Sequence, residues 1–218
     1  MASEILPVPL SLKPMLVAIT GGIATGKSRV GDFLAQRGEA GILSADAACR
    51  ALLQPGEPGW QGLRELLGAD FFLEHGVLDR SRLRQHLFAE EALRQKVDAL
   101  LHPLARQRML REAQSLVADG RCQRLLVEVP LLFEAGWQDD YAQVVVVSAD
   151  QELCVKRLMR RDGVSRVEAL QAIAAQMPLA EKARRADFVV DNSGDWEDTR
   201  LLLEALLPLL WPDRKKKS

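Results

Sequence analysis

The stretch ITGGIATGKSRVGDF, Ile19–Phe33, decides how the rest of the chain is read. It carries the spacing Gly-x-x-x-x-Gly-Lys-Ser on Gly21, Gly26, Lys27 and Ser28. Such spacing arises by chance, so its flanks matter: a phosphate-binding loop needs a strand before it and a helix after it. MLVAIT, Met15–Thr20, is a short continuous apolar run that stops at two glycines, the pattern of a parallel strand buried on both faces. Val30, Phe33 and Leu34 follow at i, i+3 and i+4 and share one helical face, with Gly38 as a stop. In that setting the glycines let backbone N–H groups turn inward at phosphate oxygens, and the helix N-terminus adds a favourable dipole. Lys27 would reach the β- and γ-phosphates, and Ser28 would offer its hydroxyl to Mg²⁺. The competing reading is a glycine-rich turn that merely caps a helix.

Working outward, GILSAD, Gly41–Asp46, predicts a second strand, and AACRALLQ predicts a helix ending before Pro55. PGEPG, Pro55–Gly59, is a turn-rich break. From Trp60 to about Ala118 the pattern is helical. Its clearest helix is LFAEEALRQKVDALL, which Pro103 is expected to interrupt just beyond its end. RLLVEVPLLF, Arg124–Phe133, and AQVVVVSAD, Ala142–Asp150, predict two further buried strands. Gln151–Ala186 is helical and basic, DFVVDNSGD returns to strand and turn, and WEDTRLLLEALLPLL is a final amphipathic helix. Strands alternating with helices argue for a parallel α/β sheet. The expected organisation is a P-loop, three-layer nucleotide-binding core over 15–58, 117–152 and 187–210, with a helical substrate domain over 59–116. A lid is expected over 153–186, and flexible tails over 1–14 and 211–218, the last ending in the basic DRKKKS.

Bulk properties narrow the function. The chain has 218 residues, 48% hydrophobic and 27% charged, with formal net charge −1, so nothing in the overall charge asks for nucleic acid. No apolar run reaches the roughly 20 residues needed to span a bilayer, and the first residues lack the pattern of a secretory signal. Three cysteines, Cys49, Cys122 and Cys154, show no Cys-x-x-Cys spacing, which favours a reducing cytoplasm over a disulfide framework or zinc site. A monomer or weak homo-oligomer is the expected state.

The kind of P-loop protein follows from what accompanies the loop. Asn-Lys-x-Asp, expected of a GTPase, is absent, and DNSG at Asp191–Gly194 falls too late to be a γ-phosphate switch, so it reads as a turn. Glu128 in LLVEVP resembles the acidic strand end of an ATPase, but the two inserts fit a small-molecule kinase better. Such a kinase must keep water from the γ-phosphate, and an arginine-bearing lid does this while offsetting transition-state charge. LCVKRLMRRDG, Leu153–Gly163, has that character, with Arg157 and Arg161 on one helical face. A solvated basic face is the plain alternative. Asp46, at the end of a predicted strand, is positioned to orient an acceptor hydroxyl or to N-cap the helix after it; both readings stay open.

At this point the chain resembles the dephospho-CoA kinases. The segments TGGIATGKS, SADAACRAL, LLHPLARQRM, EVPLLFEAGW, RLMRRDG and AIAAQMPLAEKARRADFVVDNSG carry the resemblance, from Met15 to about Leu210. The first is common to P-loop kinases; the His-Pro segment, VPLLFE and the Gln-Met-Pro-x-x-x-Lys segment are far more specific. The resemblance implies ATP as donor, Mg²⁺ as its metal and the ribose 3′-hydroxyl of dephospho-CoA as acceptor. It implies nucleotide contacts through Gly21, Gly22, Ile23, Ala24, Thr25, Gly26, Lys27, Ser28 and Arg29, with Asn192 and Gly194 beside the adenine. Asp46 matches the general base, with Lys27, Arg157 and Arg161 as the catalytic cations. Arg50, His102, Pro103, Arg106, Pro130 and Leu131 match acceptor contacts. Four departures stand out, one being Glu128, which keeps the charge of a common Asp before VPLLFE on a longer arm. Ser44 replaces a common Asp, and Ala172 replaces a lid arginine for which Arg184 or Arg185 would compensate. Ala24 stands where relatives have glycine, which requires a backbone outside glycine-only φ/ψ space. A nucleoside monophosphate kinase, and a nucleotide-binding ATPase or regulator, are the alternative functions.

Overall fold

The computed structural model describes residues 8–211. The expected tails at 1–7 and 212–218, including the basic DRKKKS, lie outside the described residues. The chain forms two compact units, one over 44–112 and one over 8–43 and 113 onward.

The second of these is the sheet unit. β1 (Leu16–Gly21) is buried at all six positions, as its unbroken apolar run requires of a central strand. The sheet order is β2-β3-β1-β4-β5, with β2 at Gly41–Ser44, β3 at Leu125–Glu128, β4 at Gln143–Ser148 and β5 at Phe188–Asp191. β1 pairs in parallel with β3 and with β4, and β4 with β5. Parallel pairing brings the carboxyl ends of these strands to one edge, where ligands bind in open α/β sheets. α1 (Lys27–Arg37) leaves that edge directly after the glycine loop. It buries Val30 and Leu34 against Leu203, Leu206 and Leu210 of α9 (Trp196–Leu210). α6 (Gln151–Asp162), α7 (Arg166–Ala174) and α8 (Leu179–Arg184) fill the interval between β4 and β5.

The other unit is helical: α2 (Ala45–Leu52), α3 (Pro58–Leu67), α4 (Arg80–Ala89) and most of α5 (Glu91–Ala118). Leu63, Leu78, Leu83 and Val97 form its core. Here two expectations fail. Pro103 does not interrupt a helix, because α5 runs through it. Val97 before it and Ala105 and Met109 after it are all buried, and that packing offsets the one helical hydrogen bond the proline removes. The break falls instead at Glu90, whose φ −126° and ψ 100° are extended, so LFAEEALRQKVDALL spans two helices. His102 is accordingly a mid-helix residue.

Both described tail margins also depart from expectation. Leu12 is buried, and Trp211 is 6% exposed within the sheet-unit core. The reason is Gly38: a Cβ there would meet the Trp211 ring at 2.6 Å, so the bare helix end makes room for the indole. Trp211→Ala should therefore lower the unfolding free energy by about 3 kcal/mol, the usual scale for a buried aromatic. Urea unfolding followed by circular dichroism checks this; a loss under about 0.5 kcal/mol, the scale of an ordinary surface change, would return Trp211 to the tail.

Candidate active site

The loop Gly21–Ser28 is built by close approach. Gly21 has φ 152°, and a Cβ on it would lie 2.2 Å from the Val147 carbonyl oxygen of β4. Gly26 has φ 93°, and its Cβ would lie 2.3 Å from Asn192 Nδ2. These two glycines are sterically required. Thr25 is fully buried; its hydroxyl donates to the Gly22 carbonyl at 2.9 Å. Lys27 Nζ donates to the same carbonyl at 2.8 Å, so its charge already lies inside the loop.

Ala24 has φ 61°, inside the left-handed region. The condition set by the sequence is thus not met: alanine takes a conformation that costs a non-glycine residue about 1 kcal/mol. Its surroundings explain the choice. Ile23 and Ala24 pack against Val155, Leu158 and Ala169 of α6 and α7, an apolar contact that glycine would forfeit. Arg157 Nη1 also donates to the Ala24 and Thr25 carbonyls, each at 3.4 Å.

Arg157 and Arg161 part company. Arg157 Nη2 donates to the Asn192 carbonyl at 3.1 Å, joining α6 to the β5 loop as well as to the glycine loop. Arg161 is exposed and forms a two-pronged pair with its neighbour Asp162 at 2.7 and 2.9 Å. That pairing, rather than helical spacing, decides where its guanidinium lies. Asn192 is 5% exposed, and its side chain is committed to the protein. Nδ2 donates to the Thr25 carbonyl at 2.7 Å, and Oδ1 accepts from Thr199 at 3.2 Å. Gly194 lies in the exposed bend beyond it. The Arg29 guanidinium stacks on the Trp196 ring, 3.8 Å from its centroid. Arg184 and Arg185 are both exposed; Arg185 pairs with Glu181 and lies over the Phe133 ring.

Ser28 Oγ donates to Glu128 Oε1 at 2.9 Å. A hydroxyl and a carboxylate, both hard oxygen donors, stand together at the ends of α1 and β3, and this donor set suits Mg²⁺. The sequence marks Glu128 only as an acidic strand end; the β1–β3 pairing, which sets Ile19 beside Glu128, is what brings it to Ser28. The Pro130 carbonyl accepts from Thr20 at 3.3 Å and from Lys182 at 3.0 Å, and Leu131 beside it is half-buried. An open, largely apolar cavity of about 640 Å³ lies between Gly22–Ile23 and α6 to α8.

In the helical unit, the predicted strand reaching Asp46 ends at Ser44, and Asp46 lies in the first turn of α2. Ser44, not Asp46, is the N-cap: its hydroxyl accepts from the Ala47 N–H at 3.4 Å. Serine at the cap leaves the exposed Asp46 carboxylate out of that role. Cys49, one turn on, sits among Asp46, Arg50 and Asp98. Burial first, then Asp46 and Asp98, push its thiol up to about 11, so it stays protonated and inert at neutral pH. His102 Nε2 lies 3.7 Å from Asp98 on α5, one turn before it. Arg50, Asp46, Asp98 and His102 thus belong to one polar surface along α2 and α5; Pro103 and Arg106 follow on α5. The three cysteines are unpaired. Among the described residues no helix is long and apolar enough to cross a membrane.

Comparison with known proteins agrees with this architecture. A family model described as dephospho-CoA kinase matches residues 15–198. The dephospho-CoA kinase of Desulfotalea psychrophila is 42% identical over 180 residues, 83% of this chain and 89% of that protein. That of Geobacillus kaustophilus is 39% identical over 193 residues, 88% of this chain and 95% of that protein. The crystal structure of TT1252 from Thermus thermophilus superposes with a TM-score of 0.76 at 33% identity, covering 90% of this chain and 98% of that one. The dephospho-CoA kinase from Campylobacter jejuni shares the fold, with a TM-score of 0.64 at 24% identity over 89% of this chain and 96% of that one. A P-loop on the central strand of a parallel sheet, a helical unit bearing the His-Pro segment and matches over most of the chain converge: the chain belongs to the dephospho-CoA kinase family.

Proposed function

We propose that this protein transfers the γ-phosphoryl group of ATP to the ribose 3′-hydroxyl of dephospho-CoA, giving coenzyme A and ADP, the last step of coenzyme A synthesis. The observation that carries the reading is the intact glycine loop, with Lys27 turned into it, in a chain whose family match spans that loop and the His-Pro segment. The core would hold ATP, the helical unit dephospho-CoA, and α6 to α8 would serve as the lid. The same reading places the enzyme in the cytoplasm without a nucleic-acid partner.

Phosphoryl transfer asks little covalent chemistry of a protein; positioning and charge stabilisation dominate. Lys27 would stabilise charge developing on the β- and γ-oxygens. Arg157, whose guanidinium now rests on loop carbonyls, would add a second cation beside them. Arg161, exposed and paired with Asp162, would contribute less. Ser28 and Glu128 would hold Mg²⁺, which when bound neutralises phosphate charge. Asp46 would orient the 3′-hydroxyl and take its proton, and Arg50, His102 and Arg106 would hold the acceptor.

An ADP-release assay across dephospho-CoA, AMP, CMP and shikimate tests the reading. Turnover should appear with dephospho-CoA alone. A nucleoside monophosphate as the preferred acceptor, or ATP hydrolysis indifferent to all four, would overturn it. Asp46→Asn should lower kcat by roughly 10² to 10⁴, the usual general-base contribution, while the KM for ATP changes little; near-normal kcat would remove Asp46 from that role. Lys27→Ala should lower kcat by about 10² or more through lost charge stabilisation, read in the same assay. Glu128→Gln should raise the Mg²⁺ concentration for half-maximal rate by about tenfold, the lower end of the effect of altering a supporting metal-site group. An unchanged Mg²⁺ titration would show that Glu128 only braces Ser28.

A further inference from the structure

Lys182 has no part in the mechanism above, yet it is the only lysine or arginine among the described residues that is fully buried, at 0% exposed. A buried ammonium persists only where good partners offset its desolvation. It has two. Nζ lies 2.8 Å from Glu134 Oε1 and donates to the Pro130 carbonyl at 3.0 Å. Both partners belong to the segment that follows β3. The Pro130 carbonyl is also held by the Thr20 hydroxyl, from the residue just before Gly21. Glu134 Oε1 in turn accepts the Met177 N–H at 3.0 Å.

Six residues before Lys182, Gln176 makes the opposite attachment. Its Oε1 accepts the Ile23 N–H, inside the glycine loop, at 3.0 Å. The next residue is Ala24, at φ 61°. A left-handed alanine is kept only where its surroundings over-determine it. Gln176 restrains the Gly22–Ile23 peptide, one unit ahead of the Ala24 nitrogen, and Arg157 restrains the Ala24 carbonyl itself. Between the two anchors Leu179 lies beside Gly22, within 4 Å of the position a Cβ would take there.

We propose that Gln176–Lys182 is a two-ended strap that sets both substrate loops. Gln176 is a positioning residue for the nucleotide loop, and Lys182 is a positioning residue for Pro130 and Leu131 on the acceptor side. This rests on the reading that Gly21–Ser28 holds ATP and that Pro130–Leu131 faces the acceptor. A purely stabilising ion pair would not distinguish the substrates; a strap with one end on each loop does.

The test is a steady-state matrix on the full-length enzyme, varying ATP and dephospho-CoA separately for Gln176→Leu, Lys182→Met and Lys182→Arg. Gln176→Leu should raise the KM for ATP by about tenfold and leave that for dephospho-CoA within about twofold. Lys182→Met should do the reverse, and Lys182→Arg should recover part of the loss by keeping the charge. If Lys182→Met does not fold, Glu134→Gln and Thr20→Val decide: the first removes the counter-charge but keeps an amide oxygen that accepts from Lys182, and the second loosens the same segment while leaving the Lys182–Glu134 pair intact. Both should raise the KM for dephospho-CoA alone, Thr20→Val the less. Melting temperatures lowered with both KM values unchanged, or both KM values raised together by either anchor, would overturn the strap. Wild-type acceptor choice is measured first. If the wild type phosphorylates a different acceptor, the functional reading fails, and the same split measured on that acceptor still judges the strap.

Discussion

The hydrogen bond from Asn192 Nδ2 to the Thr25 carbonyl, 2.7 Å long and buried, is the contact on which the rest of the sheet-unit site depends. It joins the loop after β5 to the glycine loop after β1, across the intervening β4. Because Nδ2 occupies the space a Cβ would need, residue 26 must be glycine. Because Asn192 is held there, its own carbonyl is available to Arg157, which fastens α6 to the same point. An unmatched amide in this position would cost roughly 1–3 kcal/mol, so the arrangement is retained as a whole or lost as a whole. A residue matched to adenine recognition by family likeness thus has, in the fold, its side chain engaged in bracing the loop.

The glycine loop is accordingly held from three directions. Asn192 and Arg157 hold its carbonyls, Gln176 holds an N–H, and the apolar faces of α6 and α7 take Ile23 and Ala24. This explains how a loop with alanine at φ 61° keeps its shape. The strain is local and about 1 kcal/mol, and several contacts of comparable size oppose it. A loop held in this way meets phosphate with little further ordering, which is what catalysis by positioning requires.

The fold was legible wherever the local pattern and the tertiary demand coincided. Leu16–Ile19 and Val144–Val147 are apolar on both faces because they lie in central parallel strands, and their runs say so directly. Glu90 and Pro103 show the limit. The apolar rhythm continues through Glu90, where the chain breaks, while the proline that should have broken a helix sits inside one. Packing on both sides of Pro103 outweighs a single lost hydrogen bond, and no local signal reports that balance. Trp211 is similar: it reads as part of a polar tail until Gly38, far away in the chain, provides the space for its ring.

For the candidate site, the sequence by itself determined which groups are on offer: a glycine loop with Lys27 and Ser28, a carboxylate at Asp46 and arginines on α6. These are properties of residue type and short spacing, which the chain carries wherever it folds. Only the tertiary structure decided which of these groups meet. Arg157 reaches the loop while Arg161 pairs with Asp162, though helical spacing treats them alike. Ser44 takes the helix cap and leaves Asp46 out of it. Glu128 meets Ser28 across 100 residues of sequence because two strands pair in register, and Lys182 meets Pro130 across 52. The physical reason is the same in each case. A hydrogen bond is specified by the position of its partner, and partners distant in sequence are placed by strand register and core packing.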